Sequence, residues 1–264
     1  MTASPLSRLV RLVAAFAVIA AVAAAGAAAA GDTYAALGDS YSSGVGTGSY
    51  TLDSACKRGI YAYPYLWTQK HPGTTLSFVA CSGAKTTDLL ANQITAVTST
   101  TTLVTMTIGG NDIGFASLIY QCTLGNCSAA LDSTRANLET TLGPALDQVY
   151  TTVKSRAAFA AKIVVLGYPR VFSGAGCFGT LGISSTEETK ANALSDALDQ
   201  VLSAHAASDG VTYRSAIGAF TGHAVCSSSP FLNGLNLFNS GESYHPNKSG
   251  HSAGYLPLVT ALTG

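Results

Sequence analysis

The sequence predicts an α/β fold, with a parallel five-stranded sheet and helices on both of its faces. Short apolar or β-branched runs alternate along the chain with segments of helical spacing, as they do in βαβ units. The run from Lys162 to Pro169 is almost continuously apolar, which is typical of a strand buried in a parallel sheet. No repeat or linker interrupts residues 31–264, so we expect a single domain there.

The predicted strands and helices alternate in order along the chain. Strands are predicted at residues 33–37, 76–81, 102–108, 162–169 and 211–213. Helices are predicted at 61–71, from 86, at 113–120, at 129–157, at 186–207 and from 249. We expect Pro64 in a first helical turn, a break at Gly143-Pro144, and Ser185 or Thr186 as the cap of the helix at 186–207.

Residues 1–30 have the pattern of a secretory signal peptide. Arg8 and Arg11 form a basic leader, an apolar stretch runs from Leu12 to Val22, and small residues continue to Ala30. The bulky apolar part is shorter than the roughly 20 residues that a membrane span needs. We therefore expect cleavage near Ala30 and a secreted, extracellular protein without a stable membrane anchor.

The charge balance excludes several kinds of partner. The chain carries 14 basic and 14 acidic residues, and the leader holds two of the basic and none of the acidic ones. The remainder therefore has 12 basic and 14 acidic residues, a formal net charge of about −2. Because no basic block or polybasic face is present, we expect no binding to nucleic acid or to an acidic membrane surface.

All six cysteines follow the leader, and an even number in a secreted chain favours disulfides. A zinc site is not expected, since the sequence has no Cys-x-x-Cys pair and no cluster of cysteine with histidine. We expect pairing in chain order, because it requires no crossed links: Cys56–Cys81, Cys122–Cys127 and Cys177–Cys226.

Three of the predicted strands end in turns of small residues that carry polar groups. Gly38-Asp39-Ser40 follows the first strand, Ser82-Gly83-Ala84 the second, and Gly109-Gly110-Asn111-Asp112 the third. Alone, the first is equally consistent with an ordinary turn, because Gly, Asp and Ser all form turns. However, the carboxyl ends of parallel strands meet at one edge of a sheet, where α/β proteins bind ligands. The three turns together predict a functional site around Ser40.

These turns hold groups that acyl transfer requires, namely a nucleophile and donors directed at an oxyanion. Ser40 has a hydroxyl and a backbone N–H, and Asn111 has a side-chain N–H. Gly83 adds a second backbone N–H and has no Cβ to obstruct an acyl group. We expect Ser40 as nucleophile and Ser40, Gly83 and Asn111 as the oxyanion hole. The side chain of Asp39 is expected to point away from Ser40 and to be structural.

The base that activates the serine must be a histidine, and the chain has five. His71 and His205 are expected at the surface of helices, His223 in a cysteine-bearing loop, and His251 in the last helix. His245 stands in Ser-Tyr-His-Pro-Asn, a turn just before that helix, from which an imidazole can reach over a sheet edge. His245 is therefore the favoured base.

Four blocks of the chain resemble the SGNH (GDSL) hydrolase family, in that family's order. They are Gly38-Asp39-Ser40, Gly83, Gly109-Gly110-Asn111-Asp112 and His245-Pro246-Asn247, and the resemblance spans residues 33–257. The stretches ALGDSYSSG and SYHP, with the six cysteines, are similar to secreted actinobacterial GDSL lipases and esterases. The resemblance implies a flavodoxin-like three-layer α/β/α sandwich around a central, mostly parallel five-stranded sheet. It also implies Ser40 as nucleophile, His245 as general base, the oxyanion hole named above, and no cofactor or metal.

One position departs from the family pattern. Many members have aspartate three residues before the histidine, where this chain has Glu242. Glu242 can orient His245 as the third member of a triad. Alternatively, the backbone carbonyl of Ser243 can accept the His245 Nδ1–H bond and leave a Ser-His dyad, as in secreted members similar to this chain. We favour the dyad.

A second serine motif competes with Ser40. Gly250-His251-Ser252-Ala253-Gly254 matches Gly-x-Ser-x-Gly, the nucleophile elbow of α/β-hydrolases. That motif requires a preceding strand and a following acid and histidine. Residues 246–249 cannot form a buried strand, and no Asp, Glu or His follows Ser252. We interpret this match as chance.

We expect a secreted, monomeric serine esterase or lipase that hydrolyses a small-molecule or lipid ester through an acyl-enzyme. The alternatives are a carbohydrate acetylesterase or phospholipase with the same groups and, less favoured, a non-catalytic secreted binding protein of the same fold. The apolar residues that could line an acyl pocket are Phe115, Phe172, Phe178, Leu235, Leu237 and Phe238.

Overall fold

Five short strands form one sheet in which every neighbouring pair is parallel. The computed structural model describes residues 31–174 and 176–264, so the expected signal peptide, 1–30, lies outside the described residues. The strands are β1 (Thr33–Ala36), β2 (Thr75–Phe78), β3 (Leu103–Met106), β4 (Lys162–Leu166) and β5 (Thr212–Arg214). Their order across the sheet is β2-β1-β3-β4-β5. The predicted five-stranded sheet is confirmed, and it is parallel throughout rather than mostly parallel.

The strands end earlier than predicted because the chain leaves the sheet at their carboxyl ends and forms the turns of the candidate site. Beyond β3, the carbonyl of Thr107 accepts the Asp39 N–H at 2.9 Å, and the Thr107 N–H donates to Ser42 Oγ at 3.0 Å. Beyond β2, the Cys81 N–H donates to the Gly38 carbonyl at 2.9 Å. The turns that follow β1, β2 and β3 are thus hydrogen-bonded to one another at one edge of the sheet.

Helices connect the strands and follow the last of them. The α-helices are Ser40–Ser43, Tyr63–Lys70, Thr86–Asp88, Phe115–Leu124, Ser128–Ala136, Leu138–Arg156, Ser185–Asp209, Ile217–Phe220 and Leu256–Thr263. Leu89–Gln93 and Gly250–Tyr255 are π-helical, and Ile94–Ala96, Phe178–Thr180 and Ser240–Glu242 are 3₁₀ turns. Across residues 31–174 and 176–264, no helix combines the length and apolar character needed to cross a membrane.

The helices lie in two layers, one on each face of the sheet. On one face, Tyr34 of β1 packs edge-on against Trp67, with ring centroids 5.3 Å apart, and Leu256–Thr263 packs beside the helix that carries Trp67. Leu138–Arg156 and Ser185–Asp209 pack on each other in the second layer. This is the predicted three-layer α/β/α sandwich, and Asp32–Gly264 forms one compact unit.

One predicted helix is divided at a different place. We predicted a break at Gly143-Pro144, but the chain breaks at Asn137, and the helix Leu138–Arg156 runs through Pro144. Asn137 has a φ of −101° and a ψ of 4°, and its side-chain amide bonds back to a carbonyl of the preceding helix. A proline inside a helix costs about 3 kcal/mol. Each fully buried leucine on this helix contributes roughly 1.5–3 kcal/mol, so burial of its inner face offsets that cost.

The long helix of the second layer begins earlier than predicted. Its cap is Ser184, not Ser185 or Thr186. The Glu187 N–H donates to the Ser184 hydroxyl at 3.3 Å, and the Glu187 carboxylate accepts the Ser184 N–H at 2.9 Å. Ser-x-x-Glu is a capping box, and this spacing is visible in the sequence.

Three disulfides cross-link the described chain. The pair nearest the site attaches the Gly83 turn to the loop before the first long helix, and the Ser82 N–H next to it donates to the Cys56 carbonyl at 3.0 Å. The bonded pairs, which are those expected from chain order, are Cys56–Cys81, Cys122–Cys127 and Cys177–Cys226.

Candidate active site

Ser40 is the first residue of a one-turn helix that follows β1 directly, and it is nearly buried. Asp39 caps this turn by accepting the Tyr41 N–H at 3.0 Å. Its carboxylate also accepts the Thr107 hydroxyl at 2.7 Å and the Tyr168 hydroxyl. Burial raises the pKa of Asp39 to about 6, although these hydrogen bonds oppose the rise. The Asp39 side chain therefore anchors the turn and is not directed at the Ser40 hydroxyl.

His245 lies against Ser40, although 205 positions separate them in the chain. The Ser40 Oγ and His245 Nε2 atoms are 2.9 Å apart, and His245 Nδ1 is 2.9 Å from the Ser243 carbonyl oxygen. Since a carbonyl only accepts, Nδ1 carries the proton and Nε2 accepts the serine hydroxyl. Burial lowers the pKa of His245 to about 4, against the opposing effects of the Ser243 carbonyl and the Glu242 charge. The imidazole is therefore neutral at neutral pH.

A strained turn carries the Ser243 carbonyl back to the His245 ring. Tyr244, between them, has a φ of +61°, a left-handed conformation that is unfavourable for a bulky side chain. Two hydrogen bonds hold it: the Tyr41 hydroxyl donates to the Tyr244 carbonyl at 2.7 Å, and the Tyr244 N–H donates to the Asn233 carbonyl at 3.0 Å. Such strain costs on the order of 1–3 kcal/mol and persists where the surroundings enforce it.

Glu242 is buried beside this turn, but its carboxylate bonds elsewhere. It accepts the Gly46 N–H at 2.9 Å, the Tyr50 hydroxyl, and an amide N–H of Asn239 at 3.4 Å. These partners fasten the loop at 46–50 to the segment that precedes His245. The residue that bonds to His245 Nδ1 is Ser243, through its backbone.

The three expected oxyanion donors lie on the turns that are hydrogen-bonded to one another at the edge of the sheet, and two of them, Ser40 and Asn111, line one pocket. Within the described chain, the backbone N–H groups of Ser40 and Gly83 have no hydrogen-bond acceptor. Asn111 Nδ2 donates one hydrogen to the Ala84 carbonyl at 3.0 Å, which leaves its second hydrogen available. Gly83 has a φ of +83°, and no atom lies within 4 Å of the place where a Cβ would stand.

Ser40, Asn111 and His245 line one pocket with an empty volume of about 370 Å³. Its apolar wall is the helix Phe115–Leu124, through Phe115, Ala116 and Ile119, and three tyrosines complete it. Gly83 does not line this pocket itself, and it adjoins it through the bond between Ala84 and Asn111. The i, i+4 spacing of Phe115 and Ile119 is visible in the sequence and could have identified the wall.

Most of the expected acyl-pocket residues lie elsewhere. Phe115 lines the pocket, whereas Phe172 is buried in the core and packs edge-on against Tyr244. The others line a separate, larger groove with an empty volume of about 1130 Å³, which also contains Tyr50 and Glu242. The expected acyl-pocket residues that line this groove instead are Phe178, Leu235, Leu237 and Phe238.

Residues 36–253 match the family model of the GDSL-like Lipase/Acylhydrolase family, which is more than half of the chain. This chain belongs to that family. It is 46% identical over 236 residues to Lipase 1 of Streptomyces coelicolor, across 88% of this chain and 87% of that protein. The GDSL-like chain is accordingly a carboxylic ester hydrolase.

Two solved structures are similar to this GDSL-like hydrolase over most of its length. The extracellular lipase of Streptomyces rimosus superposes with a TM-score of 0.82 at 45% identity, over 87% of this chain and 99% of that one. The phospholipase A1 of Streptomyces albidoflavus NA297 superposes with a TM-score of 0.83 at 42% identity, over 88% of this chain and 99% of that one.

The other four histidines of this hydrolase contact residues other than Ser40. His71 stacks on Trp67, and His223 stacks on Phe231. His205 is not the surface residue that we predicted, because it is largely covered between two helices and bonds to Asp147 and Glu139. His251 is fully buried, and its Nδ1 accepts the Tyr63 N–H at 3.3 Å.

The rival serine of the hydrolase, Ser252, is exposed in the π-helical turn Gly250–Tyr255. No strand directly precedes that turn in the described chain, which agrees with the interpretation of Gly-x-Ser-x-Gly as chance.

Gln93 is a site-supporting residue that the sequence did not reveal. Its side chain bonds to both backbone polar groups of Gly38: the Gly38 N–H donates to Gln93 Oε1 at 2.7 Å, and Gln93 Nε2 donates to the Gly38 carbonyl at 2.9 Å. Both partners are buried, so each bond is expensive to lose. A lone glutamine in a helical segment carries no sequence signal for this role.

Proposed function

We propose that Ser40 and His245 form a catalytic dyad that hydrolyses lipid esters of carboxylic acids through an acyl-enzyme. Two hydrogen bonds carry the proposal: one joins Ser40 Oγ to His245 Nε2, and the other joins His245 Nδ1 to the Ser243 carbonyl oxygen. Each is 2.9 Å long. A nucleophile, a base and a group that orients the base are the parts that nucleophilic catalysis by serine requires.

The reaction proceeds in two halves. Ser40 Oγ attacks the ester carbonyl carbon while its proton passes to His245 Nε2, and the Ser243 carbonyl keeps its bond to Nδ1–H as the ring becomes positive. The imidazolium then gives its proton to the departing alcohol, which leaves an acyl-Ser40 ester. In the second half, His245 takes a proton from water, the hydroxide attacks the acyl carbon, and Ser40 recovers its proton as the acid departs.

The oxyanion of both tetrahedral intermediates is stabilised by the N–H groups of Ser40 and Gly83 and by the Asn111 amide. Among the residues that the structure describes, the two backbone groups have no competing acceptor, and this supports the role because free, oriented donors need no rearrangement during the reaction. Loss of one such donor typically lowers kcat by about 10²–10³.

A lipid substrate is favoured by the pocket wall beside Ser40. Phe115, Ala116 and Ile119 offer an apolar surface to the acyl part of an ester. The similar proteins whose names include lipase and phospholipase A1 support the same substrate class. Phospholipid is therefore the second candidate substrate, in addition to simpler acyl esters.

The experiment compares Ser40→Ala with the matched variant Ser252→Ala in the oxidised protein. The substrates are p-nitrophenyl esters of increasing chain length, phosphatidylcholine and acetylated xylan. We expect Ser40→Ala to lose at least about 10³-fold in kcat, and Ser252→Ala to keep wild-type activity because its side chain is exposed and does not line the pocket. Activity that survives in Ser40→Ala would refute the proposal, and a preference for acetylated xylan would replace the lipid substrate.

The site of action is proposed from the leader and the disulfides. We propose that residues 1–30 are a signal peptide and that the mature enzyme is extracellular, which the three disulfides support because such bonds form outside the cytosol. We also propose that the mature enzyme is a monomer. Mass spectrometry and light scattering of the protein from a culture supernatant test this. A mature chain that still begins at Met1, or a dimer in solution, would contradict it.

A further inference from the structure

Three segments around the candidate active site contain no charged residue: 113–128, 171–184 and 224–241. We call them together the uncharged face. The first holds the helix that forms the wall of the Ser40 pocket, and the third leads into the turn that carries His245. Residues 89–111 and 249–264 are also uncharged, so the three segments are distinguished by the large apolar side chains that they expose.

Large apolar side chains project into solvent from all three segments. Their exposed fractions lie between 41% and 103%, and elsewhere in the described chain only Leu52 and Phe159 are comparable. The six side chains are Tyr120, Leu124, Phe178, Leu181, Leu237 and Phe238.

The segments are fastened to one another and to the site. The Leu235 N–H donates to the Gly179 carbonyl at 2.9 Å, and the Cys177–Cys226 disulfide joins the same two loops. The Asn236 N–H donates to Ser243 Oγ at 2.9 Å, directly beside the His245 turn. These contacts hold the second and third segments beside the turn that carries His245, and the first segment holds the helix that forms the wall of the Ser40 pocket.

We propose that the uncharged face docks on the surface of a zwitterionic phospholipid layer and holds the pocket mouth against it. Contiguous apolar side chains in solvent mark interaction surfaces. The absence of charge removes the attraction that basic residues have for anionic lipid, and it also removes the cost of desolvating charges at the interface.

The polar residues next to the exposed apolar side chains favour a phospholipid layer as the binding partner of the uncharged face. Leu237 and Phe238 stand between Asn236 and Asn239 in the sequence. When the two apolar side chains enter the acyl region of the layer, the neighbouring asparagine amides lie just outside it. These amides meet the polar headgroup zone, whereas an oil surface offers them few acceptors. A protein partner seated here would cover the mouth of the pocket, and a substrate layer delivers its acyl chains to it. This inference rests on the proposed lipid-ester hydrolysis.

The test measures binding apart from turnover. The Ser40→Ala protein is sedimented with phosphatidylcholine vesicles, with and without the added pair Leu237→Ser and Phe238→Ser. Removing each apolar side chain should lower the partition constant at least about tenfold, while raising the salt concentration from 0.05 to 0.5 M should change it less than about twofold. The control is Phe159→Ser, since Phe159 is equally exposed but precedes β4, at the opposite edge of the sheet.

The outcomes separate this inference from the proposed function. Equal losses for the Phe159 control and the Leu237/Phe238 pair, or binding that disappears at high salt, would overturn the uncharged face as the docking surface. So would a dimer in light scattering that the pair of substitutions dissociates, because the face would then join two copies of the chain. Thermal melting checks that the paired variant is folded. Hydrolysis of a dissolved short-chain ester by the Ser40 enzyme tests the proposed function separately.

Discussion

Replacing Glu242 by glutamine tests which group orients His245. The change removes the negative charge but keeps the shape of the side chain, and its remaining carbonyl oxygen can still accept the Gly46 N–H. The Ser243 carbonyl, which bonds to His245 Nδ1 at 2.9 Å, is untouched. If the backbone carbonyl orients the ring, catalysis should survive the substitution.

The triad and the dyad predict very different losses of kcat when Glu242 is replaced. Loss of the acid of a true triad lowers kcat by about 10⁴-fold. Here we expect a fall of less than about tenfold, or roughly 1.4 kcal/mol. The greater effect should be on stability, because a weakened anchor between Glu242 and the loop at 46–50 costs roughly 1–3 kcal/mol. Since the Glu242 charge raises the pKa of His245, its removal should also move the acid limb of the activity profile to lower pH.

The assay measures kcat and KM for p-nitrophenyl butyrate from pH 3.5 to 8, together with the melting temperature. Glu242→Ala removes the whole carboxyl group, and Glu139→Gln is the control, because Glu139 bonds to His205 and lies outside the site. A fall in kcat of about 10³-fold or more in Glu242→Gln, with an unchanged melting temperature, would refute the dyad and establish Glu242 as the orienting group.

Three further predictions follow from the same site. Because burial lowers the pKa of His245 to about 4, the neutral, active ring should persist as the pH falls and be lost only near pH 4; an acid limb of kcat/KM at pH 6.5 or above would contradict this. Gly46→Ala should lower kcat by more than about tenfold, because its Cβ would lie 2.4 Å from the carbonyl oxygen of Pro246; Gly48→Ala also puts an alanine at a positive φ but without that contact, and equal losses in both would assign the effect to backbone strain. Tyr41→Phe leaves the carbonyl of the strained turn unpaired, so we expect kcat to fall about tenfold with KM little changed; a rise in KM alone would show that the hydroxyl serves binding instead.

Local patterns in the chain accounted for the strands and the turns at their ends. A run such as residues 103–106 forms a strand because its β-branched and apolar side chains suit a buried pleated surface, and neighbouring residues are enough to show it. The break of the helix near Asn137 could not be found in this way. Pro144 favours a break locally, and burial against the rest of the protein outweighs that preference.

The sequence by itself was enough to predict the α/β class, the family, and the candidate site residues Ser40, Gly83, Asn111 and His245, because the order of strands and turns requires no knowledge of long-range contacts. The tertiary structure alone decided which oxygen faces the His245 ring. Glu242 and Ser243 are adjacent in the chain, and the choice depends on the strained turn at Tyr244 and on the partners of Glu242, about two hundred residues away. It also decided that the apolar wall beside Ser40 comes from the helix Phe115–Leu124, while most of the other expected apolar residues line a separate groove. The physical reason is that side-chain direction and burial are set by packing between segments remote in sequence, and local propensity carries no record of that packing.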